Sequence, residues 1–146
     1  MSLALDAAAQ DLLFREAQTA NSFTDEPVTD EQVQAIYDLV KFAPTAFNQS
    51  PLRITMVRSE DARERLVQHA MGANGPKTLS APLTVILSTD LDFHEKLPTL
   101  FPHAPGIKDT FFSEAAAREV AGVQNATLQA GYFIVASARR VWPRAR

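Results

Sequence analysis

Two stretches of the sequence combine residue types suited to gripping a small polar molecule. The first is Ala43-Pro44-Thr45-Ala46-Phe47-Asn48-Gln49-Ser50-Pro51. Here a helix end and a turn expose backbone amides, a hydroxyl and a carboxamide together, so the segment can hydrogen-bond a ligand without adding charge. A plain Pro-rich connector would have the same composition. The second is Asn74-Gly75-Pro76-Lys77, just ahead of Thr78-Leu79-Ser80-Ala81-Pro82 and an apolar run. It sets a carboxamide and an ammonium three positions apart. On residue type alone, Lys77 reads as a solvated lysine ahead of a strand.

Other reactive groups carry less. Asp92, His94 and Glu95 sit close together, as metal ligands do. Their spacing is not of the zinc type and no second ligand pair follows, so no metal is expected. His103 either faces a substrate or is an ordinary loop histidine; Phe101, Phe111 and Phe112 either line a pocket or anchor their loop. Neither a Ser-His-Asp constellation nor a phosphate-binding glycine loop is visible. The absence of cysteine removes disulfides, thiolate metal sites and cysteine nucleophiles. A formal net charge of -3 gives no general attraction to nucleic acid or anionic membrane. Apolar runs are far short of the roughly 20 residues a membrane span needs. With 46% hydrophobic residues in 146, the chain has the composition of one globular domain.

The elements that must position these groups can be read in order. Residues 4–20 are rich in helix formers, with Leu5, Ala9, Leu12, Leu13 and Ala17 able to share a face. A polar turn follows at 21–27. Thr29 and Gln32 form a capping-box pattern ahead of Val33, Ile36, Tyr37 and Val40, which recur at helical spacing until Pro44. Residues 52–58 alternate apolar and polar, as a half-buried strand does. Ser59 caps a third helix, which the glycines at 72 and 75 break. The run 82–88 reads as a strand covered on both faces. Residues 98–112 read as an irregular loop or lid. From Ser113 to about Ser137 a long helix, small-sided nearly all round, belongs in the centre. This order of elements gives an α+β or α/β layer arrangement.

These motifs resemble signatures of the nitroreductase family of FMN-dependent oxidoreductases. Residues 43–51 are similar to the family's A-P-S-x-x-N-x-Q-P turn, with Ser50 intervening between Gln49 and the proline, as in the malonic semialdehyde reductase branch. Asn74 and Lys77 match an Asn/Lys pair that contacts the flavin in family members. The lysine there lies by the pyrimidine side of the ring, where negative charge accumulates on reduction, which implies an electronic, catalytic role for Lys77. The run Glu95-Lys96-Leu97-Pro98-Thr99-Leu100-Phe101-Pro102-His103 looks like the K-L-P-x-L-F-P-H segment of that branch, and 122–130 resembles the family's central helix. The resemblance covers nearly residues 10–138.

What the resemblance implies is specific. The fold would be α+β, a nitroreductase-like three-layer arrangement with helices around a small central sheet. FMN would sit at a homodimer interface, held by Thr19, Asn21, Pro44, Thr45, Ala46, Asn48, Asn74 and Lys77. NAD(P)H would be the co-substrate. The acceptor would be a small aldehyde such as malonic semialdehyde, or a nitro or quinone compound, in the cytoplasm.

Two departures accompany it. The family's R-x-S-x-[RK]-x-F loop, which brings basic residues to the FMN phosphate, is here Ala17-Gln18-Thr19-Ala20-Asn21-Ser22-Phe23. Thr19 and Phe23 fit; Ala17 and Asn21 stand at the basic positions, and Gln18 stands where the branch has Arg. Neutral groups and amides can hold a phosphate, though charge-assisted contacts are stronger. Further on, the family's G-L-x-x-G-P-M continuation is replaced by Arg139-Arg140-Val141-Trp142-Pro143-Arg144-Ala145-Arg146. The expectation is a nitroreductase-like domain at 1–138, incomplete at its C-terminus, followed by an atypical basic tail at 139–146 from a truncated or frameshifted end. Such a chain would need dimerisation for stability. The alternative function is a non-catalytic, truncated dimeric scaffold that does not retain FMN.

Overall fold

The computed structural model describes residues 4–70 and 72–137. Its first helix, α1, covers only Ala7–Gln10, capped by the Asp6 carboxylate, which accepts from the Ala9 N–H at 2.7 Å. The chain then passes through a π-helical turn at Asp11–Arg15. The helix expected over 4–20 is therefore much shorter. Nothing in Ala7–Arg15 is buried, and Phe14 is 62% exposed. Good helix formers without a face to bury sustain only a turn or two.

Helix α2, Asp30–Val40, begins as expected, with the Thr29 hydroxyl accepting from the Gln32 N–H at 3.3 Å and the Gln32 carboxamide accepting from the Thr29 N–H at 2.8 Å. Ile36 and Val40 are buried, whereas Tyr37 on the expected face is 51% exposed. Strand β1, Leu52–Val57, pairs antiparallel with β2, Thr84–Thr89, with Ile54 opposite Leu87 and Met56 opposite Val85. Between them lie α3, Glu60–Val67, capped by Ser59, a 3-10 turn at Gly72–Asn74 and α4, Gly75–Ser80. The sequence reading left α4 unassigned; Pro76 in its first turn is where a helix tolerates proline.

Two cores result. Ile36 and Val40 of α2 meet Phe133 over the face of the sheet formed by Leu52, Ile54, Val85 and Leu87. The opposite face is less covered: Ile86 is 40% exposed, so β2 is not enclosed on both sides as its apolar run predicts. A run of apolar residues reports hydrophobicity, not which neighbours arrive to cover it. The second core gathers Phe93, Leu97, Ile107 and Phe112. They belong to a 3-10 turn at Phe93–Lys96, α5 at Leu97–Leu100 and α6 at Ile107–Phe111, with Phe112 just beyond. Ile107 and Phe112 are buried against Phe93 and Leu97, so the segment 98–112, read as an irregular loop or lid, is a packed one.

The long helix α7, Ala115–Ala136, opens after Glu114 rather than at Ser113, and it packs on α2 and both strands. Its small residues have a visible purpose at one point. A Cβ on Gly122 would come within 3.0 Å of the Thr89 methyl and 3.3 Å of the Phe93 ring. Glycine there lets the helix lie where both cores meet. The expected α+β arrangement, helices about a small sheet, is the one observed. Among the described residues no helix is long and apolar enough to cross a membrane. The tail expected at 139–146 lies outside the described residues.

Candidate functional site

The turn between α2 and β1 is built under constraint. Phe47, Asn48 and Ser50 all adopt left-handed backbone conformations, with φ of 53°, 51° and 44°. For non-glycine residues each costs on the order of 1 kcal/mol, so the turn persists only because its surroundings hold it. Those surroundings are specific. The Ala46 N–H donates to the Asn125 carboxamide oxygen of α7 at 2.8 Å, and the Ser50 N–H donates to the Thr45 hydroxyl at 3.2 Å. The Asn48 carboxamide donates to the Leu100 carbonyl of α5 at 3.0 Å. Just past the turn, the Leu52 N–H donates to the Gln129 carboxamide oxygen at 3.0 Å. Gln49 is 1% exposed, and its side-chain oxygen has no hydrogen-bond partner among the described residues.

The turn residues predicted to hold a ligand thus fall into two groups. Ala46, Asn48 and Thr45 each have a hydrogen-bonding group engaged internally, although Ala46 and Asn48 remain exposed and Thr45 half-buried; Pro44 is exposed and engages none among the described residues. The side chains that fix the turn, Asn125 and Gln129, went unassigned as site residues. Their signal was present: two carboxamides four positions apart on a small-sided helix, both at most 5% exposed. Buried carboxamides require partners, and here the partners are backbone N–H groups of the turn and β1.

The second predicted region forms a pair. The Lys77 ammonium of α4 donates to the Asn21 carboxamide oxygen at 2.7 Å, across 56 residues of sequence. Asn74 ends the 3-10 turn ahead of α4, exposed, and Thr19 is exposed in the same loop as Asn21. The side-chain hydrogen bonds therefore bring Lys77 to Asn21, while those of the 45–50 turn run to α5, α7 and Thr45. Among the described residues, no hydrogen bond joins these two groups of predicted residues.

Ahead of α5 lies a charged layer that the sequence reading did not single out. Asp90, just after β2, accepts from Arg53 at 2.5 Å and from Lys96 at 2.7 Å, and its other oxygen accepts from the Asp92 N–H at 2.9 Å. Partial burial alone would raise the Asp90 carboxyl, but the Lys96 and Asp92 hydrogen bonds and the Arg53 charge outweigh it and hold the group below the ordinary carboxylate range. Glu95 pairs with Lys108 and contacts His94 at 3.3 Å. The Lys108 hydrogen bond lowers the Glu95 carboxyl, and Glu95 raises the Lys108 ammonium in return. His103 packs edge-on against Phe101 with ring centroids 4.4 Å apart, and Phe47 of the turn contacts Phe101, Phe111 and Phe112. Of the two readings for these phenylalanines, Phe112 is an anchor in the core, while Phe111 is 59% exposed.

Comparison with known proteins bears on what this arrangement serves. A profile of the Nitroreductase family matches residues 15–145. A Streptomyces coelicolor protein with the provisional name NADH dehydrogenase/NAD(P)H nitroreductase is 73% identical over 135 residues, covering 92% of this chain and 69% of that protein. A Caulobacter protein of the same provisional name is 48% identical over 133 residues, covering 91% of this chain and 68% of its own. Among solved structures, a provisionally assigned nitroreductase of Exiguobacterium sibiricum in complex with FMN superposes with a TM-score of 0.79 at 14% identity, over 97% of this chain and 73% of that one. One from Bacillus subtilis superposes with a TM-score of 0.74 at 20% identity, over 90% and 71%. At those identities the structures speak for the fold.

Proposed function

This chain belongs to the nitroreductase family, and from that premise we propose that it is an FMN-dependent oxidoreductase using NAD(P)H. The observation that carries the reading is the 2.7 Å contact between Lys77 and Asn21. Both residues were assigned to the cofactor from separate motifs, and the fold gives them to each other. The residues present fit the cofactor's chemistry: three exposed carboxamides, two hydroxyls and one ammonium, with the 45–50 turn held in shape from behind. When bound, FMN supplies the hydride acceptor and donor that these side chains lack. Lys77 contributes a fixed positive charge, which Asn21 orients, so that little reorganisation is needed as negative charge develops nearby. Asn48 and Thr45, on the turn that Asn125 holds, contribute neutral hydrogen bonds.

The two half-sites meet in this reading across a homodimer. Support comes from α7, whose outer side carries Val120 and Ile134, each 70% exposed, and Leu128 at 52%. An unpaired apolar stripe of this kind favours association. The preferred acceptor is a small aldehyde of the malonic semialdehyde kind, supported by the run at 95–103; nitro and quinone acceptors are the broader family alternative.

The test is direct. The purified protein should be yellow or become so with FMN, remain so through gel filtration as a dimer, and bleach anaerobically with NADPH. Lys77→Ala should slow that bleaching. A folded dimer that stays colourless in excess FMN is the non-catalytic scaffold instead, and the oxidoreductase reading then fails.

A further inference from the structure

A cleft of about 370 Å³ opens between the end of α2, the start of β1 and α5, and Asn48 and Ser50 of the strained turn lie in its wall. Its cations are Lys41, Arg53 and Lys96, and none of its lining residues is Asp or Glu. Two carboxylates stand outside that lining: Asp38 pairs with Lys41 at 2.7 Å, and Asp90 pairs with both Arg53 and Lys96. Three cations against two carboxylates leave one positive charge in excess. Arg53 is fixed, since one terminal nitrogen donates to the Ser50 and Leu52 carbonyls at 3.1 and 2.8 Å while the other holds Asp90. Lys96 is half exposed and, among the described residues, has one hydrogen bond, to Asp90, for an ammonium with three donors. The rest of the wall includes Val40, Leu52, Ile54 and Leu100.

We propose that this cleft is a subsite for a carboxylate on a short aliphatic chain, with Lys96 the principal contact and Arg53 and Lys41 supporting it. Three features favour that chemistry. A single surplus charge matches a monoanion. The nearby backbone N–H groups that a phosphate would use are already occupied: Ala46 by Asn125, Ser50 by Thr45 and Leu52 by Gln129. The aliphatic wall suits a few methylenes rather than a sugar or a polar headgroup. That the carboxylate belongs to the hydride acceptor rests on the proposed function, because Asn48 is shared between the cleft and the cofactor turn. The carboxylate site itself does not depend on it. Lys96 would then make this a determinant of which aldehydes are taken, selecting those with an acid group.

Binding can be measured on the full chain by NMR titration with propionate, its neutral isostere propanamide, and inorganic phosphate. Propionate should shift resonances around Lys96 and bind in preference to both. Lys96→Met should weaken propionate by roughly tenfold or more, the value of one charge-assisted hydrogen bond, with Lys96→Arg restoring most of it. Lys41→Met, at the end of α2 and paired with Asp38, serves as a second variant that does not touch the Asp90 pair. Equal binding of propionate and propanamide overturns the proposal, as does tighter binding of phosphate or unchanged affinity in both Met variants. FMN retention is scored on the same samples. Propionate binding without FMN retention upholds the subsite while the oxidoreductase reading fails; FMN retention without propionate preference does the reverse.

Discussion

The 45–50 turn and the Asn21–Lys77 pair are both candidate halves of one site, yet they are held by opposite means. The turn is over-determined. Three residues in left-handed geometry are pinned by two buried carboxamides of α7, and Phe47 leans on the Phe101 and Phe112 rings over the second core. The Asn21–Lys77 pair is one hydrogen bond between partly exposed side chains from a loop and a short helix. The difference separates positioning from chemistry. The turn, pinned from behind by buried carboxamides, is a rigid neutral frame, and its loss should unfold something. The exposed half supplies a charge, and its loss should change reactivity while stability stays nearly constant.

That contrast can be broken in several places. The largest effect is expected under the turn: Phe93→Ala should cost about 3–5 kcal/mol, since a fully buried ring cannot be removed without a cavity. Urea unfolding measures it, and a cost under a third of that range would mean that the second core is slack. Next comes Asn125→Leu, which leaves the Ala46 N–H without its acceptor and should cost roughly 1–3 kcal/mol while also weakening FMN retention. Were stability to fall with FMN affinity unchanged, the turn would not be part of the cofactor site.

The charged layer beside the turn gives a pH signature. The Asp90 carboxyl is held below its ordinary value in the folded protein, so its stabilisation is complete above the unfolded carboxyl pKa, about 4. It is lost as pH falls through the lower folded value. Stability should therefore drop on the acid side, and Asp90→Asn should flatten that drop. Parallel acid limbs for the two proteins would remove Asp90 as its source. The smallest stability effect belongs to the exposed half: Lys77→Ala should change unfolding free energy by no more than about 0.5 kcal/mol. Its slowed flavin reduction should stand alone. A large loss of stability there would erase the contrast between the halves.

The parts of this molecule legible in the sequence were those that local chemistry decides. Thr29 and Gln32 announced α2, Ser59 announced α3, and the alternation of 52–58 announced β1, because caps and side-chain period act within a few residues. The motifs around Asn48 and Lys77 were marked out by resemblance alone. The missing pieces were those that depend on who arrives from far away. Residues 98–112 carry turn formers, yet Phe93, Leu97, Ile107 and Phe112 collapse them into a core. Asp90 attracted no notice, because Arg53 and Lys96 reach it only after β1 and β2 pair.

The sequence by itself determined a layered α+β or α/β order of elements, a neutral hydrogen-bonding turn and an ammonium at Lys77, since residue type and short-range spacing fix those properties; the resemblance chose α+β. Only the tertiary structure decided which groups are already engaged and which remain to meet a ligand. Ala46 looks like an available amide until α7 brings Asn125 within 2.8 Å, and Lys96 looks like any surface lysine until the cleft forms around it. Hydrogen-bonding capacity is a property of a residue; whether it is satisfied depends on neighbours that folding alone supplies.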